Sequence, residues 1–291
     1  MNQLSDIIIM AISSIGLINR LMINYCKKNG IPVYMIINGL IANSFLDEAK
    51  EGTWINSYGA SIRDNYFKGM KNIICLGDPR MDKYSIRSRK KPLGNAKITI
   101  GIGASGFANI DLNCYLAIEF EFLNDILKAC RELKKIGREM EIIIKTRQNN
   151  YIHQYQCFLS EYYPDIPVTI LHNVPMMQIY GRIDFYISTT SQTLFEASCQ
   201  GIPVLYYKND THCYHPPFDG ESELVTAFDL EDLTRKIEAF YNGDSIYNAF
   251  KEKKNLEKYI GPLDGQNLRR NMEFIYKIVA SGKDYGNLAL Q

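Results

Sequence analysis

No two of the seven cysteines, Cys26, Cys75, Cys114, Cys130, Cys157, Cys199 and Cys213, stand at C-x-x-C spacing. That excludes the zinc and dithiol motifs that depend on it. The count is odd and most of these residues lie within apolar patterns, which fits a reducing, cytosolic compartment better than a disulfide framework. No apolar run approaches the ~20 residues that cross a bilayer. The run from Ile7 to Ile12 lacks the basic flank of a signal peptide. With Asp6 before it and Ser13-Ser14 after, it reads as a buried strand. Neither sign of charge dominates: 33 Lys and Arg oppose 32 Asp and Glu, for a formal charge of +1. There is thus no global electrostatic case for nucleic acid or for an acidic membrane. Internal repeats and low-complexity tracts are also missing.

What is present is an alternating α/β pattern. The 291 residues, 46% apolar and 22% charged, suffice for one large or two medium domains with a real core. Tyrosine is frequent, at 20 copies; it suits sugar or base contacts, and equally a simple compositional habit. Three short apolar runs, Asp6 to Ser13, Ile31 to Ile37 and Ile73 to Leu76, predict strands covered on both faces. A helix over Ile15 to Lys28, stopped by Asn29-Gly30, separates the first two. Such βαβ units imply a parallel sheet. The stretch Ser85 to Gly94, with Arg87, Arg89, Lys90 and Lys91, reads as a linker.

Beyond it the pattern restarts with strands at 97–103, 140–145, 168–171, 183–188 and 203–207. Helices are expected at 115–135, 151–163, 174–180 and 192–200, with three closing helices at 230–241, 245–258 and 265–280. Five strands alternating with helices make a doubly wound sheet. The expectation is two Rossmann-like domains: an abbreviated one over 1–92, with about three strands, and a fuller one over 93–291.

Ligands of open parallel sheets bind beyond the carboxyl ends of the strands, so the loops there hold the candidates. Gly101-Ile102-Gly103-Ala104-Ser105-Gly106 ends the first strand of the second domain. Its glycines let backbone approach a phosphate, with Gly103 and Ser105 nearest, or else serve a tight turn. Lys145 and Arg147 end the next strand, where two cations suit a diphosphate. In the loop Leu171-His172-Asn173-Val174-Pro175, backbone groups of Asn173 and Val174 suit a nucleobase edge. The strongest signal is Ser188-Thr189-Thr190-Ser191-Gln192-Thr193-Leu194-Phe195-Glu196-Ala197, followed by Gly201-Ile202-Pro203. Four consecutive hydroxyls exceed what helix capping needs. Thr190, Ser191 and Gln192 are therefore expected at phosphate and Glu196, one turn on, at a ribose. The loop 209–220, rich in His, Tyr and Asp, offers His212, Tyr214 and His215 to orient a sugar or a leaving phosphate. A metal is not expected there, since His212 and Cys213 lack a second ligand pair.

At these residues the chain resembles GT-B transferases, in particular the CDP-glycerol glycerophosphotransferase and bacterial surface-carbohydrate (capsule) group. The segment STTSQTLFEASCQGIPVLYY carries the resemblance, with Gly30-Ile31-Pro32 leading to Asn38-Gly39, and Leu76-Gly77-Asp78-Pro79-Arg80-Met81-Asp82. It spans about Gly30 to Ala280. The resemblance implies two Rossmann-like domains, a nucleotide-sugar or CDP-glycerol donor on the second, and a glycan or lipid-linked acceptor facing the first. It also implies peripheral association with the inner face of a membrane and no cofactor or metal, the diphosphate being held by amides and cations. Where that group often has a His before the Gly, this chain has Asn38, which cannot accept a proton near neutral pH. Either another group, such as Asp47 or Glu48, serves as base, with His215 a further catalytic candidate, or the acceptor is activated differently, or the chain is not catalytic by itself. Two other activities fit the pattern. One is a UDP-N-acetylglucosamine 2-epimerase type of reaction, although that family tends to carry two glycines and paired glutamates where this turn has Gln192-Thr193 and a single Glu196. The other is a non-catalytic nucleotide-binding subunit.

Overall fold

In the computed structural model, the residues described are 7–14, 16–40, 48–88, 97–104, 113–146, 152–208, 213–282, 284 and 288, the side chains of 113–118 excepted. Contacts gather into two compact units. The first comprises Met1–Ser85, His212–Asp219 and Lys253–Gln291; the second comprises Ile86–Thr211 and Gly220–Glu252.

The first unit opens with β1 (Ile9–Ala11), α1 (Leu17–Lys28), β2 (Val33–Ile36), β3 (Trp54–Asn56), α2 (Ala60–Asn65) and β4 (Ile73–Ile74). The four strands are parallel and lie in the order β1-β2-β3-β4. Residues along β2 alternate between two cores, as strand geometry requires. Val33 and Met35 pack with Ile23, Cys26 and Ile62, while Tyr34 packs on the opposite side with Trp54 and Ile74. The strand β3 has no apolar run to announce it. Trp54-Ile55-Asn56 is extended because it lies between β2 and β4, pairing Tyr34 with Trp54 and Ile55 with Ile73.

The second unit contains β5 (Ile98–Gly103), α3 (Asn113–Lys135), β6 (Met140–Lys145), α4 (Ile152–Tyr162), β7 (Val168–Leu171), α5 (Met176–Tyr180), β8 (Phe185–Ser188), α6 (Thr193–Cys199), β9 (Val204–Tyr207), β10 (Thr226–Ala227) and α7 (Leu230–Tyr241). Its six strands are all parallel, in the order β10-β9-β8-β5-β6-β7. That is the doubly wound arrangement in which the first and fourth strands lie side by side. The short sixth strand, β10, escapes sequence detection. Ile98, Ile100 and Ile102 of β5 bury one face against Phe122, Ile126 and Leu133 of α3 and Leu233 and Ile237 of α7.

The chain then returns to the first unit. Where one helix was expected over 245–258, two short 3-10 turns (Ser245–Tyr247 and Ala249–Lys251) precede α8 (Lys253–Ile260), and α9 (Asn267–Ala280) follows. Phe274, Ile275 and Ile278 of α9 cover Tyr34, Trp54 and Ile74. Asp82 accepts from the Asn267 and Leu268 amides at 2.8 and 2.7 Å and so caps α9. The buried Asn271 accepts from the Tyr34 hydroxyl at 2.6 Å and from the Asn56 amide at 2.8 Å. Lys253–Gln291 thus pack with the N-terminal sheet, whereas the sequence pattern ran them on from the second domain. Gly77 and Gly261 allow this return. Both have positive φ, and a Cβ on Gly261 would lie 2.2 Å from Gly77 Cα.

Candidate nucleotide-binding site

Strand order in the second unit reverses between β5 and β8, the position where open α/β sheets take their ligands. A pocket of about 140 Å³ opens there. Its wall combines Gly103 and Ala104 at the end of β5, Lys145 and Thr146 at the end of β6, Met176 at the start of α5, Tyr186 of β8, and Ser188 to Ser191 with Thr193 at the turn into α6. Gly103, Lys145 and the Thr190-Ser191 pair, separate in sequence, therefore meet in one place.

The hydroxyls are wired together. Ser188 Oγ donates to the Gly103 carbonyl at 3.1 Å. Thr193 Oγ1 lies 2.7 Å from the Tyr186 hydroxyl and 2.8 Å from Ser191 Oγ. Ser191 Oγ also accepts from the Thr193 amide at 3.3 Å, and Thr190 Oγ1 donates to the Tyr206 hydroxyl at 3.3 Å. Tyr186 was not among the expected site residues, yet it organises the turn. Its ring lies over β5, and a Cβ on Gly103 would sit 2.1 Å from its hydroxyl; one on Gly101 would sit 2.6 Å from Ile183 Cδ1. The two glycines thus make room for neighbouring side chains within a strand, and Gly103 also lines the pocket. Glycine inside a strand signals such close approach, and this was the available clue to Tyr186. Burial pushes the Tyr186 phenol up to about 12, so it stays protonated and able to donate.

Lys145 is the cation of the pocket. Burial lowers its pKa from the ordinary lysine value, and its ammonium donates to the Thr146 carbonyl. Among the described residues no carboxylate pairs with it. The buried Thr146 places Oγ1 3.2 Å from His172 Nδ1. Glu196, half-buried on α6, accepts from the Tyr180 hydroxyl at 3.2 Å, so its carboxylate has a fixed direction. Gln192 is half-buried at the start of α6. Asn173 is exposed with φ of 56°, a conformation Asn tolerates. Asn173 and Val174 stand outside the pocket lining, which takes Met176 from this stretch. Ser105, Arg147 and His212 lie outside the described residues.

Of the proposed proton-transfer groups, Asp47 is also outside the described residues. Glu48 and His215 both belong to the first unit, where Tyr66 joins them. The Tyr66 hydroxyl donates to the Glu48 carbonyl at 3.2 Å. Its ring meets the His215 ring edge-on at 5.8 Å and carries the Lys50 ammonium 4.8 Å from its centroid. Burial, and then repulsion from Lys50, hold the His215 pKa below the ordinary value of 6.5, with Asp219 opposing. The imidazole is therefore neutral at pH 7. Asn38 is exposed beyond β2.

No family model matches the chain, and no curated protein sequence matches it. Solved structures do. The UDP-GlcNAc 2-epimerase of Methanocaldococcus jannaschii, in complex with UDP-GlcNAc and UDP, superposes with a TM-score of 0.59 at 12% identity, over 92% of this chain and 76% of its own. The UDP-GlcNAc 2-epimerase of Neisseria meningitidis bound to UDP-GlcNAc gives 0.60 at 15% identity, over 88% and 72%. A glycosyltransferase from Rickettsia africae gives 0.53 at 13%, over 92% and 83%. The fold is therefore α/β and GT-B-like, with two Rossmann-like units, the N-terminal one abbreviated to four strands among the described residues.

Proposed function

We propose that this chain is an enzyme of nucleotide-activated sugars, and that it epimerises a UDP-linked amino sugar. One observation carries the reading. At the strand-order reversal, a lysine with no acidic partner among the described residues and a wired set of hydroxyls share a pocket, and a carboxylate of fixed direction stands one turn along α6. In this reading Lys145, Thr190, Ser191 and Gln192 take the diphosphate, with Gly103 giving it room. Glu196 accepts from the ribose hydroxyls, and the Asn173-Val174 backbone meets the base. Ser105 and Arg147 extend the phosphate contacts. His215 is the proton-transfer group, neutral and basic at working pH, with Glu48 and Asp47 as further carboxylates. The fold neighbours named as UDP-GlcNAc 2-epimerases support this choice of reaction.

The test is incubation of the protein with UDP-GlcNAc and no acceptor, followed by NMR. The expected product is the C2 epimer, with unchanged turnover in chelator. His215→Ala should lower the rate about 100-fold while leaving UDP affinity intact. Because the His215 pKa lies below its ordinary value, the acid limb of the rate profile should have its midpoint below pH 6.5. UDP binding without turnover would instead make the chain a nucleotide-binding subunit.

A second reading rests on the turn itself. Gln192-Thr193 and a single Glu196 replace the paired glycines and glutamates of the epimerase pattern, which favours transfer. A glycosyl or glycerophosphoryl unit would then move from a nucleotide-sugar or CDP-glycerol donor to a glycan or lipid-linked acceptor. In that case product forms only when acceptor is present.

A further inference from the structure

The strand β1 lies at an edge of the first sheet. Among the described residues it pairs only with β2, in parallel. The Ile9 N–H donates to the Pro32 carbonyl at 3.0 Å, and a parallel ladder bonds alternate residues of a strand. The N–H and C=O of Met10 therefore face the open side. Neither proline nor charge guards this edge, since Ile7 to Ile12 hold only apolar side chains; both devices commonly discourage pairing. One face of the strand is also uncovered. Tyr34, the neighbour of Met10 on β2, is buried beneath α9, whereas Met10 is 52% exposed and Ile12, just past the strand, 63%.

The other face carries α1. Ile23 and Cys26 cluster with Ala11 of β1 and with Val33 and Met35 of β2, so α1 lies over both strands. Leu17, Ile18, Leu21 and Tyr25 are nevertheless between 60% and 79% exposed, and Met22 is 39% exposed. At ~100° per residue these five span an arc of roughly 140°. Handedness fixes where the arc points. Crossovers between parallel strands are right-handed, α1 runs antiparallel to the strands it joins, and the helix itself is right-handed. With Ile23 and Cys26 turned to the sheet, Ile18, Met22 and Tyr25 point over the open side of β1, and Leu17 and Leu21 outward beside them. Arg20 and Lys27 lie about 130–150° from the centre of the arc, on the side of β2. Lys28, at the margin of the arc in the last turn, keeps its ammonium in solvent.

One symmetry operation covers both faces. A two-fold axis normal to the sheet beside β1 pairs the strand antiparallel with its copy. It brings the two α1 flanks together on one face and the two Met10 side chains together on the other. The spacing agrees. Strands lie ~4.8 Å apart, so α1, seated over β1 and β2, stands ~5 Å from that axis. The two α1 axes are then ~10 Å apart, within the about 8–10 Å of packed helices. The seven exposed side chains offer roughly 900 Å² per copy, and a standard interface takes about 800 Å² from each partner. We infer that this chain forms a two-fold dimer through the edge of β1 and the apolar flank of α1, each Met10 N–H donating to the Met10 carbonyl of the other copy. The inference rests on the first unit alone and does not depend on the nucleotide pocket.

Sedimentation velocity of the full chain provides the test. The wild type should sediment as a dimer at micromolar concentration. Ile18→Glu with Met22→Glu buries unpaired carboxylates at the helix contact and should raise the dimer dissociation constant about 100-fold or more. Met10→Pro should raise it about 10-fold or more while β1 stays paired with β2, because the lost N–H faces away from β2. Lys27→Glu, on the far flank, should leave it unchanged. Circular dichroism and Trp54 emission identify variants that retain the fold. A wild type that is monomeric at every concentration overturns the proposal. So does a dimer that persists in the folded Ile18→Glu with Met22→Glu variant, or one indifferent to Met10→Pro.

Discussion

Gly103 and Tyr186 illustrate how one residue's lack of a side chain is set by another's bulk. Because a Cβ at 103 would meet the Tyr186 hydroxyl at 2.1 Å, Gly103→Ala should cost about 1–3 kcal/mol of overpacking, read as a lower melting temperature. Adding Tyr186→Phe, which removes the clashing oxygen, should recover part of that loss. The hydroxyl turn gives a different outcome. Ser191→Ala and Glu196→Ala should both weaken UDP binding, measured by calorimetry, while the fold persists. Unchanged affinity in both would contradict the nucleotide assignment. Ser191 also accepts from the Thr193 amide, so its removal should cost a further ~1 kcal/mol of stability.

At the scale of elements, the segment Gly77-Asp78-Pro79-Arg80-Met81-Asp82 has an architectural role. Asp78 accepts from Arg80 Nε at 3.0 Å, and Asp82 holds the first two amides of α9. Asp82→Ala should therefore destabilise the first unit by about 1–2 kcal/mol, as seen in denaturant unfolding monitored at Trp54. The start of α9 has an acid-sensitive pair as well. Arg270 holds the Asp264 carboxyl down to about 2 from 3.8, through a 2.7 Å bond. A depressed carboxyl stabilises the folded state above its unfolded pKa, and the contribution fades as pH falls toward the folded value. Melting temperature should thus drop between about pH 4 and pH 2, and Asp264→Asn should make that drop shallower. Asp264 is largely solvent-facing, so the effect is small.

At the scale of the molecule, the only tryptophan, Trp54, lies in the first unit. It is 4% exposed and meets the Phe274 ring edge-on at 5.4 Å. Its fluorescence therefore reports on the first unit and on α9 in particular. Truncation after Glu252 should shift the emission to the red and abolish the cooperative unfolding seen at that wavelength. A truncated chain with native Trp54 emission would show that α9 is dispensable for the first sheet. Much of this architecture is readable without coordinates. The strands Met140–Lys145 and Val168–Leu171 and the helix Leu230–Tyr241 fall at the residues the pattern predicts. The elements missed, β3, α2 and β10, have three, six and two residues. They are too short for periodicity to register, and tertiary pairing holds them in place.

The sequence by itself determined the class of fold and the hydroxyl turn. Both are local properties: apolar runs of strand length separated by amphipathic helices, and a polar cluster at one strand's carboxyl end. Only the tertiary structure decided that α9 covers the first sheet, that Tyr186 lies over Gly103, and that Lys145 meets the Ser191 turn. The reason is physical. An apolar helix face specifies that it must be buried, but not against which sheet. A pocket assembled from the ends of three strands exists only once their order in the sheet is fixed.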